Sequence, residues 1–224
     1  MVINILGRNI GSQTRTPVLL LAIVVVGYWL VGASWAKIDW PHLVLTGLTV
    51  IGGCLALVAI RPQRSGLSPP HVMLTLGFGG MVAGLAWDAT HSGATLLADL
   101  CAGTNGLPFG LALEAHLTFL PAMHLGMFLG GLAAIPGLRI LHPGCRRYLC
   151  AVFAQNLMCS GWMLLGMTAG ALWFSRWTTT GTYGLSEMIG GMFAGMTWGM
   201  VVSVALYRGF FLLKDSRANT AKTV

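Results

Sequence analysis

The chain has 224 residues, of which 55% are hydrophobic and only 8% are charged, and its mean hydropathy is +0.75. A soluble domain carries charged side chains at roughly a quarter of its positions, so this composition excludes an ordinary soluble protein and indicates an integral membrane protein. The net charge of +7 does not indicate a nucleic-acid-binding protein, because the basic residues form neither one run nor one face.

Six apolar stretches are long enough to cross a bilayer, since a transmembrane helix needs about 20 residues. They cover the ranges 17–35, 40–60, 70–91, 107–135, 148–174 and 182–213. The first is longer than the apolar part of a signal peptide and lacks a clear cleavage site, so we interpret it as a span. Pro121 predicts a kink in the fourth stretch, because proline removes a backbone hydrogen bond. We therefore predict an all-α membrane protein, a polytopic bundle of six transmembrane helices forming one domain over residues 1–224.

The basic residues lie in the connections between these stretches, with 11 Lys and Arg assigned to one side and two, Lys37 and Arg176, to the other. Lys and Arg are concentrated on the cytoplasmic side of membrane proteins, so the count predicts a multi-pass protein of the plasma (inner) membrane with both termini in the cytoplasm. Tryptophans near the predicted outer boundary fit an interfacial aromatic belt. These are Trp35, Trp40, Trp87, Trp173 and Trp177.

Glycines recur four residues apart in four of the predicted spans, which is a pattern that allows close contact between helices in lipid. The pairs are Gly80/Gly84, Gly126/Gly130 and Gly166/Gly170, and a triple comprises Gly191, Gly195 and Gly199. We expect these faces to be packed against neighbouring helices.

Acidic residues at membrane depth are costly and are therefore candidates for function. The third span is predicted to end near Asp88 and His91, which are three residues apart. The fourth is predicted to begin near Glu114 and His116, and the sixth near Glu187. With a rise of about 1.5 Å per residue, these side chains are expected to form one layer in the outer half of the membrane. The layer comprises Asp88, His91, Glu114, His116 and Glu187.

Two imidazoles and up to three carboxylates suit a transition-metal ion. A proton relay is equally consistent with them, because carboxylates and histidines often carry protons across membranes. A third interpretation is a buried hydrogen-bonded network that only fixes helix packing. A fourth, for Asp88 and His91 alone, is simple solvation at the outer lip.

Methionines extend inward from this layer. On a continuous fourth helix His116, Met123 and Met127 would lie nearly in line, with His124 beside them. The sixth span carries a second row beginning next to Glu187. The row comprises Met188, Met192, Met196 and Met200. Thioethers are soft ligands that select Cu(I), although methionine also fills gaps between packed helices, and both interpretations stay open.

Three functions follow as hypotheses. The first is a metal-handling membrane protein, with copper as the preferred ion, in which His42 joins the outer layer in capturing the metal. It would act as an importer or as a chaperone-like partner of a copper enzyme. The predicted metal residues are Asp88, His91, Glu114, His116, Glu187, Met123, His124, Met127, Met188 and Met192.

The second hypothesis is a redox protein binding b-type haem or a quinone, with His91 or His42 paired to His116 as axial ligands. The third is a non-catalytic subunit or assembly factor of a larger membrane complex. The sequence contains no glycine-rich phosphate loop, nucleophile elbow or His-Glu-x-x-His motif, so the pattern does not favour an enzyme.

Overall fold

A computed structural model describes residues 3–32, 38–60, 69–92, 107–141, 149–177 and 184–220, with side chains described for most of these positions. Seven helices, and no strand, occupy these ranges. In chain order they are α1 (Ile3–Gly32), α2 (Trp40–Ile60), α3 (Pro69–Ser92), α4 (Phe109–Phe119), α5 (Pro121–Leu141), α6 (Leu149–Trp177) and α7 (Gly184–Thr220). The predicted all-α architecture is confirmed over this part of the chain.

Four described segments are long and apolar enough to cross a membrane: Trp40–Ile60, Pro70–Ser92, Asn156–Arg176 and Ser186–Phe210. The pair α4 and α5 brings the number to five if it counts as one broken span. The apolar part of α1, Pro17–Gly32, is shorter than these. The structure therefore supports four or five spans, and the prediction of six stays a prediction.

Side orientation also stays a prediction. Six of the counted basic residues lie outside the described residues. They are Lys37, Arg61, Arg64, Arg146, Arg147 and Lys222. Trp35 also lies outside the described residues. Of the predicted belt, Trp40, Trp87 and Trp173 have exposed side chains.

The fourth predicted span is two helices, and not one kinked helix. Helix α4 ends at Phe119, α5 begins at Pro121, and the two axes differ by 91°. Leu120 between them has φ −125° and ψ 51°, outside the helical region. The cause is local, because proline disfavours the helical conformation of the residue before it and cannot donate a backbone hydrogen bond. The position of the predicted kink was correct, but the geometry of a continuous fourth helix was wrong.

Glycines bring two pairs of helices into backbone contact, as their spacing predicted. Between α3 and α5, a Cβ at Gly80 would overlap the carbonyl of Gly126, and a Cβ at Gly84 would overlap that of Ala122. Between α6 and α7, Gly166 faces Gly195 and Gly170 faces Gly191 in the same way. The hydrophobic effect does not drive helix association in lipid. The close approach at these glycines stabilises the helix pairs through dispersion contacts instead.

Helix α7 is the centre of the bundle. It packs against α1, α2, α3 and α6, and its most apolar stretch is 72% buried, the highest value among the candidate spans. Phe193 of α7 stacks at a tilt on Phe78 of α3, with 4.7 Å between ring centres. Because α7 touches so many helices, a polar group near its start can meet side chains from several of them.

Candidate functional site

Three ligand-type side chains meet where α2 and α7 begin. One oxygen of Asp39, one oxygen of Glu187 and one ring nitrogen of His42 all lie within 4.8 Å of one another. Glu187 is 3% exposed, and the Asp39 and His42 side chains are 15% and 19% exposed. We call these three residues the acid–histidine cluster. No other group of three or more such ligand atoms this close together occurs among the described residues.

The cluster follows from the helix starts that carry it. Asp39 immediately precedes α2 and its carbonyl accepts a hydrogen bond from Leu43 N–H, while Glu187 lies in the first turn of α7. A helix N-terminus carries partial positive charge that stabilises carboxylates. His42 Nδ1 lies 2.5 Å from an Asp39 carboxylate oxygen, which orients the imidazole. The two helix starts therefore favour the charged form of both carboxylates.

A tyrosine and a threonine support the cluster from α1 and α2. The hydroxyls of Tyr28 and Thr46 are 2.9 Å apart, and both side chains are buried. They pack on Gly190, one turn after Glu187, where a Cβ would overlap the Tyr28 hydroxyl. Tyr28 is near enough to Asp39 and Glu187 to interact electrostatically with both carboxylates. The small residue at 190 thus lets a polar layer form against α7.

The sequence predicted only part of this cluster. Glu187 was among the predicted metal residues and His42 among the capture residues, but Asp39 was missed. A signal was available: Asp39 and His42 are three residues apart at the start of a span, and residues at that spacing share one face of a helix.

A second constellation lies at the break between α4 and α5. The rings of His116 and His124 have centres 6.5 Å apart and planes inclined by 30°. Both residues are buried, at 4% and 5% exposed. We call them the imidazole pair. On the continuous helix that the sequence predicted, His116 would have aligned with Met123 and Met127. The 91° bend removes that line and brings His124 to face His116.

Three of the four ring nitrogens in the imidazole pair have no hydrogen-bond partner in the part of the chain that the structure describes. Neither nitrogen of His116 has one, and Nε2 of His124 also lacks one. His124 Nδ1 is 2.7 Å from the carbonyl of Leu120. A carbonyl can only accept, so His124 Nδ1 carries the proton and the Nε2 lone pair is free.

Asp88 makes hydrogen bonds of the kind that the packing interpretation allowed, and its predicted metal role stays a prediction. Its two carboxylate oxygens accept hydrogen bonds from the backbone N–H groups of Met123, at 2.8 Å, and Ala122, at 3.2 Å. These are first-turn donors of α5 that have no partner within the helix. Asp88 is 5% exposed and caps α5 from the neighbouring helix α3. The residue therefore holds the helix break in place instead of pointing at the acid–histidine cluster.

Two other predicted residues are exposed. His91 stacks on Trp87 with ring centres 4.5 Å apart, and its Nδ1 donates to the Trp87 carbonyl at 2.9 Å. Glu114 has an exposed side chain on α4. The predicted layer of five acids and histidines therefore does not form one site: Glu187 joins the acid–histidine cluster, His116 joins the imidazole pair, and Asp88 caps α5.

The predicted methionine rows are part of the packed interior. The buried methionines include Met123, Met127, Met188, Met192, Met196 and Met200. Methyl groups of Met163 and Met196 both pack near Gly77 of α3, where a Cβ would lie 4.0 and 3.5 Å from them. Met163 and Met196 therefore take part in helix packing, and the choice between packing and metal binding for the methionine rows stays a prediction.

No protein-family model, curated protein or solved structure matches this chain. Chemically, the acid–histidine cluster offers two negative charges and an imidazole, which suits a cation. The imidazole pair offers nitrogen donors on two buried rings. Each of the two constellations brings together ligand-type side chains from two different helices or helix starts.

Proposed function

We propose that this membrane protein handles a transition-metal ion and that Asp39, His42 and Glu187 bind it. The observation that carries the proposal is the convergence of three ligand atoms within 4.8 Å, with one of the carboxylates 3% exposed. Ligand atoms around one metal, each at about 2 Å from it, lie about 3–4 Å apart. Small side-chain rotations would close the remaining distance.

The ligand set favours a divalent ion. Imidazole suits Zn, Cu, Fe and Ni, while carboxylates suit harder ions. Two carboxylates in a largely buried site balance a charge of +2, and a buried charge is costly unless it is paired. Cu(II) stands highest in the general order of divalent affinities, and the methionines of the interior are donors that suit Cu(I). Copper is therefore the ion that we propose.

The excess of Lys and Arg on one side supports a location in the plasma (inner) membrane with the acid–histidine cluster at the outer surface. The test uses a chain without its five native cysteines and with His91→Cys, which is exposed. A membrane-impermeant maleimide added to intact cells should label Cys at this position. Labelling only after the cells are opened would reverse the orientation.

The binding test uses the full chain in mild detergent, with metal content measured by mass spectrometry and affinity by calorimetric titration with Cu(II), Zn(II) and Mn(II). Glu187→Gln and Asp39→Asn should each weaken binding by at least about 100-fold, since loss of a direct ligand exceeds the 10–100-fold effects of supporting residues. Glu114→Gln, which alters an exposed carboxylate, is the matched control and should leave the affinity unchanged.

Three results would overturn the proposal. One is a wild-type protein that binds none of these ions. A second is equal binding by the wild type and Glu187→Gln. A third is a visible haem absorption band whose intensity is lost in His42→Ala, which would make the histidine an axial ligand instead.

A further inference from the structure

The break between α4 and α5 buries three imidazole nitrogens that have no hydrogen-bond partner among the described residues. Buried polar groups in native proteins nearly always have a hydrogen-bond partner, and leaving one without a partner lowers stability. Three such nitrogens on two facing rings therefore indicate a ligand that all or most of them share. This observation is independent of the acid–histidine cluster, because it involves neither its residues nor its helices.

The separation of the rings fits one shared ion. An imidazole nitrogen binds a transition metal at about 2.0–2.1 Å and lies about 1.1 Å from its ring centre, so two rings sharing an ion have centres up to about 6.5 Å apart. The observed distance between the ring centres of His116 and His124 is 6.5 Å. The value lies at the upper limit of this range, with the two ring planes inclined by 30°.

We propose that His116 and His124 form a second metal site that binds one Cu(I) ion between Nε2 of His124 and a ring nitrogen of His116. Cu(I) accepts as few as two neutral nitrogen ligands, whereas Zn(II) prefers four ligands. The site goes beyond the proposed function, because it is a separate site with a different ion charge.

The surroundings of the imidazole pair select a single positive charge. Burying a charge in an apolar interior is costly, and a divalent ion between two neutral donors would be costlier than a monovalent one. Asp88 supplies one carboxylate at the start of α5, beside His124, and both of its oxygens are engaged by Met123 and Ala122 N–H. Its charge offsets the partial positive charge of the helix start, which would otherwise repel a cation.

The tautomer of His124 is already set for metal binding. Its Nδ1–H donates to the Leu120 carbonyl at 2.7 Å, and Leu120 is the residue at which the helix breaks. Metal-binding histidines commonly donate their second nitrogen to a carbonyl in this way, which fixes the ring orientation. The break therefore supplies both the second ring and the acceptor that orients the first.

The test measures Cu(I) affinity of the full chain in detergent, under anaerobic reducing conditions, by competition with a coloured Cu(I) chelator. His116→Leu removes the donor with little change in volume and should weaken Cu(I) binding by at least about 100-fold. His116→Met keeps a soft donor of similar size and should retain binding within about tenfold. X-ray absorption of the wild type should show two nitrogen neighbours.

Glu187→Gln separates this site from the acid–histidine cluster: it should abolish divalent binding and leave Cu(I) affinity unchanged. His91→Ala, an exposed histidine, controls for adventitious binding. Equal Cu(I) affinity in the wild type and His116→Leu would overturn the inference. So would X-ray absorption showing only sulfur neighbours, or a haem band that disappears in His116→Leu. Loss of divalent binding alone in Glu187→Gln tests the proposed function and leaves this inference standing.

Discussion

The acid–histidine cluster and the imidazole pair place histidine in opposite surroundings. In the first, His42 is 2.5 Å from a carboxylate and near a second one, at the starts of two helices. In the second, His116 and His124 face each other in the interior with no carboxylate bound to either ring. The first is assembled from residues far apart in the chain, and the second within one broken span.

If both proposed sites bind metal, this difference in ligand charge would let one bundle favour two charge states of a metal. Net charge of the ligands, more than ligand number, decides which ion a buried site tolerates. Two carboxylates balance a divalent ion, whereas neutral imidazoles suit a monovalent one. Removing or adding a charge at one site should therefore change its ion preference without affecting the other.

The largest expected effect comes from Asp88→Ala. Two backbone N–H groups at the start of α5 would lose their acceptor, at about 1–3 kcal/mol each, so we expect a loss of about 3 kcal/mol in stability. Cu(I) affinity should fall at least about tenfold, while divalent binding persists. Chemical denaturation in detergent and the two metal titrations measure this. Glu114→Ala is the control, and an equal effect of the control would contradict the capping role.

A smaller effect is expected from Gly84→Ala. The new Cβ would overlap the backbone of Ala122, forcing α3 and α5 apart at a cost of about 2 kcal/mol. Asp88, one turn further along α3, should then lose its hydrogen bonds to the first-turn N–H groups of α5. Gly79→Ala is the matched control on the same helix, because no atom lies within 4 Å of its added Cβ. The denaturation midpoint should fall only for Gly84→Ala, and equal midpoints would refute this packing.

Tyr28→Phe tests the surroundings of the acid–histidine cluster. It removes the hydrogen bond to Thr46, worth about 1 kcal/mol, and a polar group near the acid–histidine cluster. Divalent affinity should fall less than about tenfold, and Cu(I) affinity should not change. A double-mutant cycle with Thr46→Val should give a coupling of about 1 kcal/mol. Additive effects would show that the two hydroxyls do not interact.

The smallest effects are expected at the exposed members of the predicted layer. His91→Ala and Glu114→Gln should change stability by less than about 0.5 kcal/mol and both metal affinities by less than about twofold. A larger loss of metal binding in either variant would restore the single five-residue site predicted from the sequence, and would contradict the division into two clusters.

The sequence predicted what depends on composition and spacing along one helix. Apolar length located the membrane-crossing segments, and the four-residue glycine spacing identified the faces where α3 meets α5 and α6 meets α7. Pro121 marked the position of the break, because the effect of proline is local. The burial of Glu187 also followed from its place at the start of an apolar helix.

The composition of the two clusters and the capping role of Asp88 depend on distances between helices. The spacing of residues along the sequence does not determine those distances. Proline predicts that a helix bends, but a bend of 20° and one of 91° leave the same sequence pattern. Only the larger angle makes His124 face His116. Asp39 was missed because its partner Glu187 is far away in the chain and reaches it only through the central packing of α7. Asp88 was predicted to be a metal ligand because the sequence shows only a carboxylate at membrane depth. A carboxylate that caps another helix has the same sequence pattern as one that binds a metal.

The central position of α7 has a consequence for biogenesis. Transmembrane helices insert first and pack against one another afterwards, and α7 follows the other described helices in the chain. Until it inserts, Asp39 and His42 lack their partner carboxylate, Tyr28 and Thr46 lack the surface of Gly190, and α6 lacks its glycine-lined neighbour. The acid–histidine cluster is thus completed only when α7 has packed, so a nascent chain lacks the proposed divalent site before that step.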